Sequence, residues 1–490
     1  MKKVVFHTIG CRLNQAETAV LVDRLKRVGY EAVEFGQPTD VLVLNTCSVT
    51  GEAEADCRYA IRRTLRRSPH AFVAVTGCYA QTGVQALRGI PGVDLILGNQ
   101  YKMKLPDYLP SLSFQGKRSE PVLLHSRTID REDFVQEGVG DYGTTRANLK
   151  IQDGCNFMCS FCLIPFARGR ERSRCLDDVL REGYELVERG HRELVLTGVN
   201  IGRFANGGVG ITELVQRLEE IPGLDRIRIS SIEPTTIPEE FLDLMGSSKK
   251  LCRFLHVPLQ SGDDGILQAM NRRYTVREYT DWVERMVTRI PDLCVGTDLM
   301  VGFPGEGPQQ FDNTFSVARD LPFAYFHIFS YSPRPGTAAT RLEQRISPPI
   351  IKARNRRLAE LSRTKRLGFY QRFVDRPVSV LFETKGPEDL WTGLTDNFIR
   401  VGVTAPRDLT NQICQANITG VMDGLAIGQL TAQPSHPAGK RTLPMLERPL
   451  VSGWIFQSVR RIPSGFRFWI EEDNPIGLSN LSPNLRLPNE

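Results

Sequence analysis

The sequence predicts an α/β protein with three units: an N-terminal open parallel α/β domain, a central partial barrel of six β/α units, and a small C-terminal antiparallel β-barrel. Short apolar runs alternate with helical stretches over residues 1–130 and again over residues 145–370. Over residues 372–432, short strands follow one another and are separated by Gly, Asn, Asp and Pro. A chain of 490 residues has room for about three domains, because single cores stop growing near about 250–300 residues.

The N-terminal unit is predicted from buried strands that alternate with helices. Continuous apolar runs are typical of parallel strands that are covered on both faces. Helical periodicity at residues 16–28 and 53–67 connects these runs, as expected for an open sheet. A polar stretch with several glycines, residues 136–145, predicts a linker to the next unit. The predicted strands are residues 4–8, 41–44 and 72–76.

The central unit is predicted from six further strands, with helices such as residues 177–188 and 276–289 between them. Six β/α units are too few for a full eight-stranded barrel. We therefore expect a partial barrel that binds ligands at the carboxyl ends of its strands. The predicted strands are residues 149–152, 193–197, 226–231, 254–258, 295–301 and 325–331.

The chain changes character after residue 372. Short strands between turn residues predict a small antiparallel barrel at residues 372–432. Residues 433–490 form a Pro-rich tail, in which only residues 453–459 and 465–470 suggest a hairpin. The predicted barrel strands are residues 378–383, 390–395, 398–403 and 414–422.

Composition and targeting signals favour a protein of the reducing cytoplasm. No apolar run reaches the roughly 18 residues of a membrane helix, and the N-terminus becomes polar too quickly for a signal peptide. Eleven cysteines in such a compartment serve metals or chemistry rather than disulfides. The net charge of +6 says little alone, whereas the positions of the basic residues are informative.

Three cysteines, Cys155, Cys159 and Cys162, form a CxxxCxxC motif at the start of the central unit. This spacing supplies three thiolates to a cubane iron–sulfur cluster, which has four metal corners. The fourth iron stays open and can bind a substrate. A zinc site is the alternative, but no second cysteine or histidine pair lies nearby in sequence to complete a tetrahedron.

A second set, the strand-end triad, consists of Cys11, Cys47 and Cys78, each just past a predicted strand. The carboxyl ends of parallel strands share one edge of an open sheet, so these distant cysteines should converge there. This placement predicts a second three-thiolate cluster, and the alternative is three buried free thiols. The other cysteines lack such placement and are assigned to core or incidental positions: Cys57, Cys175, Cys252, Cys294 and Cys414.

Basic residues form three runs. Arg58, Arg62 and Arg66 repeat every four residues and would share one face of the predicted helix before Cys78. Two further runs lie within residues 168–174 and 352–366. Each run alone fits a solvated helix face, but together they flank the proposed cluster and barrel regions. Their joint placement favours contacts to nucleic-acid phosphates.

The two cysteine sets resemble those of the radical S-adenosylmethionine (AdoMet) methylthiotransferases. Residues 372–432 are similar to the family's TRAM domain, a small RNA-binding barrel, most clearly at residues 395–401. The resemblance covers about residues 1–432 and leaves the tail at 433–490 without a counterpart. It also extends through residues 162–174, 196–200, 228–234, 256–262, 296–306 and 329–337.

Within the family, residues 10–17 (Gly-Cys-Arg-Leu-Asn-Gln-Ala-Glu) are most similar to the MtaB type. That type converts N6-threonylcarbamoyladenosine beside the tRNA anticodon to its 2-methylthio form. Arg12 and Gln15 are candidates to read the substrate's side group. The alternatives are the MiaB type, which acts on N6-isopentenyladenosine in tRNA, and the RimO type, which acts on a ribosomal protein aspartate. Ala16 departs from the family pattern, in which an aromatic residue is frequent.

The resemblance implies two [4Fe-4S] clusters and S-adenosyl-L-methionine as cofactors, with 5′-deoxyadenosyl radical chemistry at C2 of adenine. The CxxxCxxC motif would hold the cluster that binds AdoMet, and the strand-end triad would hold the cluster that delivers sulfur. The implied partners are the tRNA anticodon stem-loop and an electron donor such as flavodoxin or ferredoxin. Cofactor contacts are expected from Phe161, Thr197, Gly198, Asn200, Glu233 and Gln260. The alternative for Phe161 is shielding of sulfur from water, and for the other five it is strand-end capping.

A non-catalytic iron–sulfur protein that binds RNA is the alternative from another functional class. A binding module has no use for an open iron, so the six cysteines favour an enzyme. No side chain is expected to act as a catalytic acid or base, because C2 of adenine carries an unactivated C–H bond. A cofactor must carry such chemistry, and the protein positions it.

Overall fold

The computed structural model describes the chain over residues 1–48, 51–114, 117–129, 140 and 144–431. Most of the predicted linker and the whole tail, with its predicted hairpin, lie outside the described residues. None of the helices in this part of the chain combines the length and apolar character that a membrane span requires.

The N-terminal unit is a parallel sheet of six strands. The strands are β1 (Lys2–Thr8), β2 (Tyr30–Val33), β3 (Val41–Thr46), β4 (Phe72–Gly77), β5 (Leu95–Leu97) and β6 (Val122–Leu124), and the helices are α1 (Arg12–Arg27), α2 (Gly51–Arg67), α3 (Cys78–Thr82), α4 (Val84–Arg88) and α5 (Leu105–Phe114). Their order in the sheet is β2-β1-β3-β4-β5-β6. Every residue of β3 and β4 is buried, as their apolar runs predict. The sequence does not predict β2, β5 and β6, which are too short to show a period.

Over its described residues the central unit contains ten strands, six of which are parallel and form two three-stranded sheets. Its strands are β7 (Arg146–Lys150), β8 (Gln152–Asp153), β9 (Arg172–Ser173), β10 (Glu193–Thr197), β11 (Ala205–Asn206), β12 (Val209–Gly210), β13 (Arg226–Ile229), β14 (Phe254–His256), β15 (Cys294–Val301) and β16 (Tyr325–Ser330). The sheets have the orders β13-β10-β7 and β14-β15-β16. A single parallel bridge from Ile227 to Leu251 lies between them. The predicted partial barrel is therefore confirmed.

Helices alternate with these strands and cover the outside of the partial barrel. They are α6 (Ile164–Arg168), α7 (Leu176–Glu188), α8 (Ile211–Glu219), α9 (Glu239–Ser247), α10 (Asp264–Ala269), α11 (Val276–Arg289), α12 (Pro308–Asp320) and α13 (Pro348–Gln371). Helix α11 begins with a capping box between Thr275 and Glu278, which fixes its first turn. The apolar faces of the helices and the outward side chains of the strands form one large core.

The C-terminal unit is a closed barrel of five strands. They are β17 (Pro377–Lys385), β18 (Leu390–Thr395), β19 (Arg400–Thr404), β20 (Ile413–Met422) and β21 (Leu425–Leu430), in the order β17-β18-β19-β21-β20. The small barrel is confirmed, and all its pairings are antiparallel except that of β19 with β21. Strand β21 is not predicted, although Asp423 and Gly424, both with positive φ, form the kind of two-residue turn that joins hairpin strands.

The small barrel closes the amino end of the partial barrel through two buried arginines. Arg228 pairs with Glu193 at 2.6 Å and donates to the carbonyls of Thr395 and Asp396, each at 2.9 Å. Arg226 donates to carbonyls of the small barrel in the same way. Arg228 and Glu193 are 1% and 0% exposed, so their charges are compensated inside the protein, by each other, by these carbonyls and by Arg226, which lies 3.8 Å from Glu193. Docking of the small barrel therefore completes the polar contacts inside the partial barrel.

We expect Arg228→Met to lower the free energy of unfolding by about 3–5 kcal/mol, because it leaves the buried carboxylate of Glu193 without its main partner. Thermal denaturation and limited proteolysis near residue 372 would measure the change. Arg217→Met is the matched control, since Arg217 pairs with Glu213 on an exposed face and such pairs contribute about 1 kcal/mol or less. Equal melting temperatures for the two variants would contradict this role of Arg228.

Candidate active site

The strand-end triad lies at one edge of the N-terminal sheet. Cys11, Cys47 and Cys78 follow β1, β3 and β4, which are neighbours in the sheet. Cys47 and Cys78 are buried, whereas Cys11 is exposed. Gly10 has a φ of +107°, and a Cβ placed there would lie 2.7 Å from Cβ of Cys47. Only glycine allows the turn before Cys11 to pass so close to Cys47.

The CxxxCxxC motif lies in the loop after β8, and its three cysteines are half-buried. Each sulfur accepts one N–H group at 3.4 Å. The donors are the backbone of Phe157 for Cys155, the backbone of Ile164 for Cys162, and the guanidinium of Arg272 for Cys159. Donors aimed at sulfur stabilise thiolates and tune the clusters they hold.

The protonation of these thiols is coupled to metal binding. Burial raises the pKa of Cys155 to about 11 and that of Cys162 to about 12. Both thiols are therefore protonated at neutral pH without metal, and cluster assembly must displace their protons. All eleven cysteines are free thiols. Each set of three thus offers the donors that a four-iron cluster with one open iron requires, and the residues fit this group.

Arg272 connects the CxxxCxxC motif to the third strand of the partial barrel. Its guanidinium bonds both carboxylate oxygens of Glu233, at 2.5 and 3.2 Å, in addition to the sulfur of Cys159. From the sequence we expect Glu233 to contact the cofactor, but we do not expect a role for Arg272. The only sequence signal is the pair Arg272-Arg273, and a charged pair alone does not indicate a buried role.

Asn200 has the geometry expected of a ligand contact. It is 2% exposed, its Oδ1 accepts from Thr236 at 3.0 Å, and its backbone N–H donates to Gln152 at 2.8 Å. No partner for its Nδ2 is found among the described residues. A buried donor without a partner is costly, so this amide fits a site that a bound molecule completes.

The remaining expected cofactor contacts lie around the same strand ends. Thr197 donates to the carbonyl of Val195 within its own strand. Gln260 has a left-handed φ of +70°, a strained conformation that is often found at functional sites. Phe161 packs edge to face on Phe303, with ring centroids 6.4 Å apart. A Cβ on Gly198 would lie 3.0 Å from the carbonyl oxygen of Gln152.

A buried ionic network lies between the two cysteine sets, and we call it the Arg168 network. Arg168, which is 1% exposed, bonds Glu17 at 3.0 Å, Asp153 at 3.1 Å and Asn14 at 2.5 Å. Glu17 and Asn14 belong to α1, which follows Cys11, and Asp153 precedes Cys155. The other members pair with these carboxylates at 2.5–3.1 Å: Lys102, Lys150 and Arg172.

The Arg168 network adjoins the strand-end triad through Asn99. Asn99 donates to the carbonyl of Ala167 at 2.6 Å, and its Nδ2 lies 3.8 Å from the sulfur of Cys78. Burial alone would lower the pKa of Arg168, but Glu17 and Cys78 outweigh it and hold this pKa well above its usual value. Arg168 therefore stays charged. It joins the helix after Cys11 to the loop that carries the CxxxCxxC motif.

From the sequence we expect the run at residues 168–174 to contact phosphates, but three of its four arginines pair with carboxylates: Arg168, Arg172 and Arg174. Arg168 and Arg174 are buried and pair with carboxylates, Arg174 with Asp178 and Glu182. These pairs link residues that are distant in sequence or lie on a covered helix face. A count of basic residues cannot distinguish such buried pairs from a solvated run.

The proposed substrate-reading and phosphate-binding residues lie on two helices. Arg12 and Gln15 are half-buried in the first turn of α1, beside Asn14 and Glu17, which face inward. On α2, Arg62 and Arg66 are exposed, whereas Arg58 is half-buried and hydrogen-bonds Tyr79. Two of these three arginines on α2 are thus exposed to solvent.

Comparison with family models matches two regions of the chain. Residues 3–98 match the uncharacterized protein family UPF0004, and residues 149–318 match the radical SAM superfamily. These regions correspond to the N-terminal sheet with the strand-end triad and to the partial barrel with the CxxxCxxC motif. They define a radical SAM enzyme with an iron–sulfur cluster and a second cysteine-bearing unit in front of its barrel.

Curated relatives cover most of the chain. A Bacillus subtilis protein named threonylcarbamoyladenosine tRNA methylthiotransferase MtaB is 34% identical over 85% of this chain and 94% of its own length. An Aquifex aeolicus protein of the same name is 38% identical over 76% of this chain and 90% of its own length. The chain belongs to the radical S-adenosylmethionine methylthiotransferases and is of the MtaB type.

Solved structures agree on the fold. A radical S-adenosylmethionine methyltransferase, TsrM from Kitasatospora setae, superposes with a TM-score of 0.50 at 16% identity. The match covers 67% of this chain and 73% of that one. At this identity the likeness concerns the fold alone, and it supports the open sheet followed by a partial barrel.

We expect Arg168→Met to lower the free energy of unfolding by about 3–5 kcal/mol, because two buried carboxylates lose their shared partner. Hydrogen–deuterium exchange should rise in residues 11–17 and 153–168, which the network joins. Thermal denaturation and exchange mass spectrometry measure both effects. Arg203→Met, which breaks an exposed pair with Glu171, is the matched control. Unchanged exchange in both segments would show that the network does not hold them together.

Proposed function

We propose that this protein is a tRNA methylthiotransferase that places sulfur and a methyl group at C2 of N6-threonylcarbamoyladenosine beside the anticodon. The observation that carries the proposal is the joining of two three-cysteine sets by one buried ionic network. The names of the Bacillus subtilis and Aquifex aeolicus relatives, which specify this nucleoside in tRNA, support the choice of substrate.

The cofactor set in this proposal is two [4Fe-4S] clusters and S-adenosylmethionine. When bound, these groups supply the radical chemistry that breaks the C–H bond at C2 and delivers sulfur there. The CxxxCxxC motif holds the cluster that binds AdoMet, with Arg272 donating to Cys159. Asn200 contributes its unpaired amide to a bound ligand. Phe161 and Phe303 keep water from the cluster, which tunes its potential.

RNA binding is assigned to the small barrel and the exposed basic residues before it. Helix α13 exposes a row of cations along its length, whereas Arg354 is buried against Glu306. Residues 372–432 supply affinity for the anticodon stem-loop in this proposal, together with Arg62 and Arg66 of α2. An electron donor such as flavodoxin or ferredoxin completes the reaction in the reducing cytoplasm. The exposed cations of α13 are Lys352, Arg356, Arg357 and Arg363.

The MiaB type is the second candidate. A Clostridium tetani protein named tRNA-2-methylthio-N(6)-dimethylallyladenosine synthase is 31% identical over 84% of this chain and 92% of its own length. The share of the chain that each relative covers therefore does not distinguish the two substrates. The side chains that contact the side group of the adenosine must distinguish them. Neither RimO-type protein modification nor a non-catalytic role gains support from a specific contact.

We expect anaerobically reconstituted protein to hold about eight irons per chain, the content of two four-iron clusters. Replacing the three cysteines of the strand-end triad by alanine should remove about half of this iron. Replacing the three CxxxCxxC cysteines by alanine should also remove about half. Iron analysis and EPR of the reduced protein measure the content. Cys414→Ala, in the core of the small barrel, is the control and should keep about eight irons. If loss of the strand-end triad left the iron content unchanged, the second-cluster proposal would fail.

We expect the reduced holoenzyme to thiomethylate an anticodon stem-loop that carries threonylcarbamoyladenosine and to leave the isopentenyladenosine form unmodified. Sites built around hydrogen-bonding side groups reject analogues without them, often by about 10⁴-fold. Nucleoside mass spectrometry after incubation with AdoMet and reductant measures both reactions. Preferential modification of the isopentenyl form would instead assign the protein to the MiaB type.

A further inference from the structure

Three polar side chains meet on the inner face of the partial barrel, and we call them the lumen triad: His256, Asp298 and His327. Nε2 of His256 lies 2.9 Å from Oδ1 of Asp298, and Nδ1 of His327 lies 3.5 Å from the same oxygen. The two imidazole rings are stacked, with centroids 5.1 Å apart. The lumen triad brings together three different strands, β14, β15 and β16.

Strand register places the lumen triad inside the barrel. Asp298 pairs with His327 in the ladder between β15 and β16. The residues between and beside these positions point the other way, because side chains alternate along a strand. They belong to the core beneath the outer helices: Leu255, Val295, Leu299 and Phe326. The lumen triad therefore occupies a face that core packing leaves free.

Tyr325 holds the lumen triad in place through a hydrogen bond to His256. The hydroxyl of Tyr325 lies 3.1 Å from Nδ1 of His256, which fixes the orientation of that ring. Tyr325 has room for this contact because its neighbour on β15 is Gly296. A Cβ at Gly296 would lie 2.5 Å from Cζ of the tyrosine ring. The glycine and the tyrosine together hold His256 against Asp298.

Two atoms of the lumen triad have no protein partner. Asp298 and His327 are each 19% exposed. Within the described residues nothing hydrogen-bonds Oδ2 of Asp298 or Nε2 of His327. Nδ1 of His327 faces Oδ1 of Asp298 at 3.5 Å, so a neutral His327 that carries its proton on Nδ1 presents a lone pair at Nε2. The lumen thus offers two hydrogen-bond acceptors.

The lumen triad lies just below the strand ends where the cofactor contacts are expected. The backbone N–H of Gln260 donates to the carbonyl of Asp298 at 2.8 Å, and the N–H of Met300 donates to Gln260 at 2.8 Å. Ligands of partial and full barrels bind at these strand ends. A molecule that enters the barrel beside Gln260 reaches the two acceptors next.

We propose that the lumen triad reads the side group of the substrate adenosine by accepting two hydrogen bonds from it. This inference rests on the proposed function. The threonylcarbamoyl group carries an N–H and a hydroxyl, and these donors complement Oδ2 of Asp298 and Nε2 of His327. An isopentenyl group has no donor and would leave both acceptors without partners after water is displaced, which is costly.

A divalent metal ion is the competing ligand for two imidazoles and a carboxylate, whose facing atoms lie close enough for coordination. The contacts favour the organic ligand. Oδ1 of Asp298 is already engaged by both rings, and the far nitrogen of His256 is held by Tyr325. A metal would have to displace both imidazole hydrogen bonds, whereas a donor group uses only the two atoms that are free.

The test measures binding of two anticodon stem-loops, one with threonylcarbamoyladenosine and one with plain adenosine. The full-length holoenzyme is used with AdoMet and without reductant, so no turnover occurs. The measured quantity is the ratio of the two affinities by fluorescence anisotropy, which cancels effects on general RNA binding. We expect wild type to prefer the modified loop by about 10–100-fold, the effect of two hydrogen bonds.

Variants assign that preference to the lumen triad. His327→Phe and Asp298→Asn should each lose most of it, because each removes or inverts an acceptor. His327→Gln should retain part of it, since the amide oxygen can take the place of Nε2. His70→Phe replaces an exposed histidine that is distant in sequence from the lumen triad. It is the control and should keep the wild-type affinity ratio.

The outcomes separate this inference from the proposed function. Equal affinities of wild type for the two loops would overturn the inference, whereas the proposed function fails only if nucleoside mass spectrometry finds no 2-methylthio product. A wild-type preference that persists in His327→Phe and Asp298→Asn would overturn the inference alone. One zinc ion per chain in the purified holoenzyme, lost in both variants, would show a metal site and would also overturn it.

Discussion

The guanidinium of Arg168, buried between Glu17 and Asp153, fixes how the N-terminal sheet meets the partial barrel. Removing such charges from water costs several kcal/mol per ion, and mutual attraction offsets this cost only when every partner is in place. The helix after Cys11 and the loop before Cys155 therefore have one favourable docking geometry. Both cysteine sets inherit their mutual position from this arrangement, so an interaction that is remote from the sulfur atoms fixes the distance between the two sets.

The same network has an electrostatic consequence. It contains four cationic side chains against two carboxylates, and it adjoins Cys78 through Asn99. A network with excess positive charge in a buried setting attracts the negative charge of thiolates and of the clusters they hold. Burial raises the pKa of Cys162 to about 12, so this thiol is protonated without metal. In the proposed function, the clusters and the ionic contact between the two units would therefore stabilise each other.

The fold is predictable from the sequence where a hydrophobic period or a residue spacing indicates an element. The buried strands β3 and β4 show as apolar runs, and the cysteines show as a spacing and as a shared topological position. Glu17 and Arg272 escape prediction because each is a polar residue that looks like a solvated side chain until its partner is known. Those partners lie far along the chain: Lys150 and Arg168 for Glu17, and Glu233 for Arg272. Local patterns hold no information on such pairings. The lumen triad escapes for the same reason, since its members come from three strands.

The interior of the partial barrel unites these observations. Barrels of this kind are usually filled by branched apolar side chains, whereas here the inward positions carry ions and hydrogen-bonding groups. At the amino end, Arg226 and Arg228 need the carbonyls of the small barrel to complete their contacts. At the carboxyl end, Asp298 and His327 keep atoms without protein partners among the described residues. The small barrel thus supplies hydrogen-bond partners to the polar groups at one end. At the other end, a ligand is required to supply partners to the acceptors. A polar interior is stable only when the polar groups at both ends have hydrogen-bond partners. The small barrel, which is proposed to bind RNA, therefore also stabilises the interior of the partial barrel.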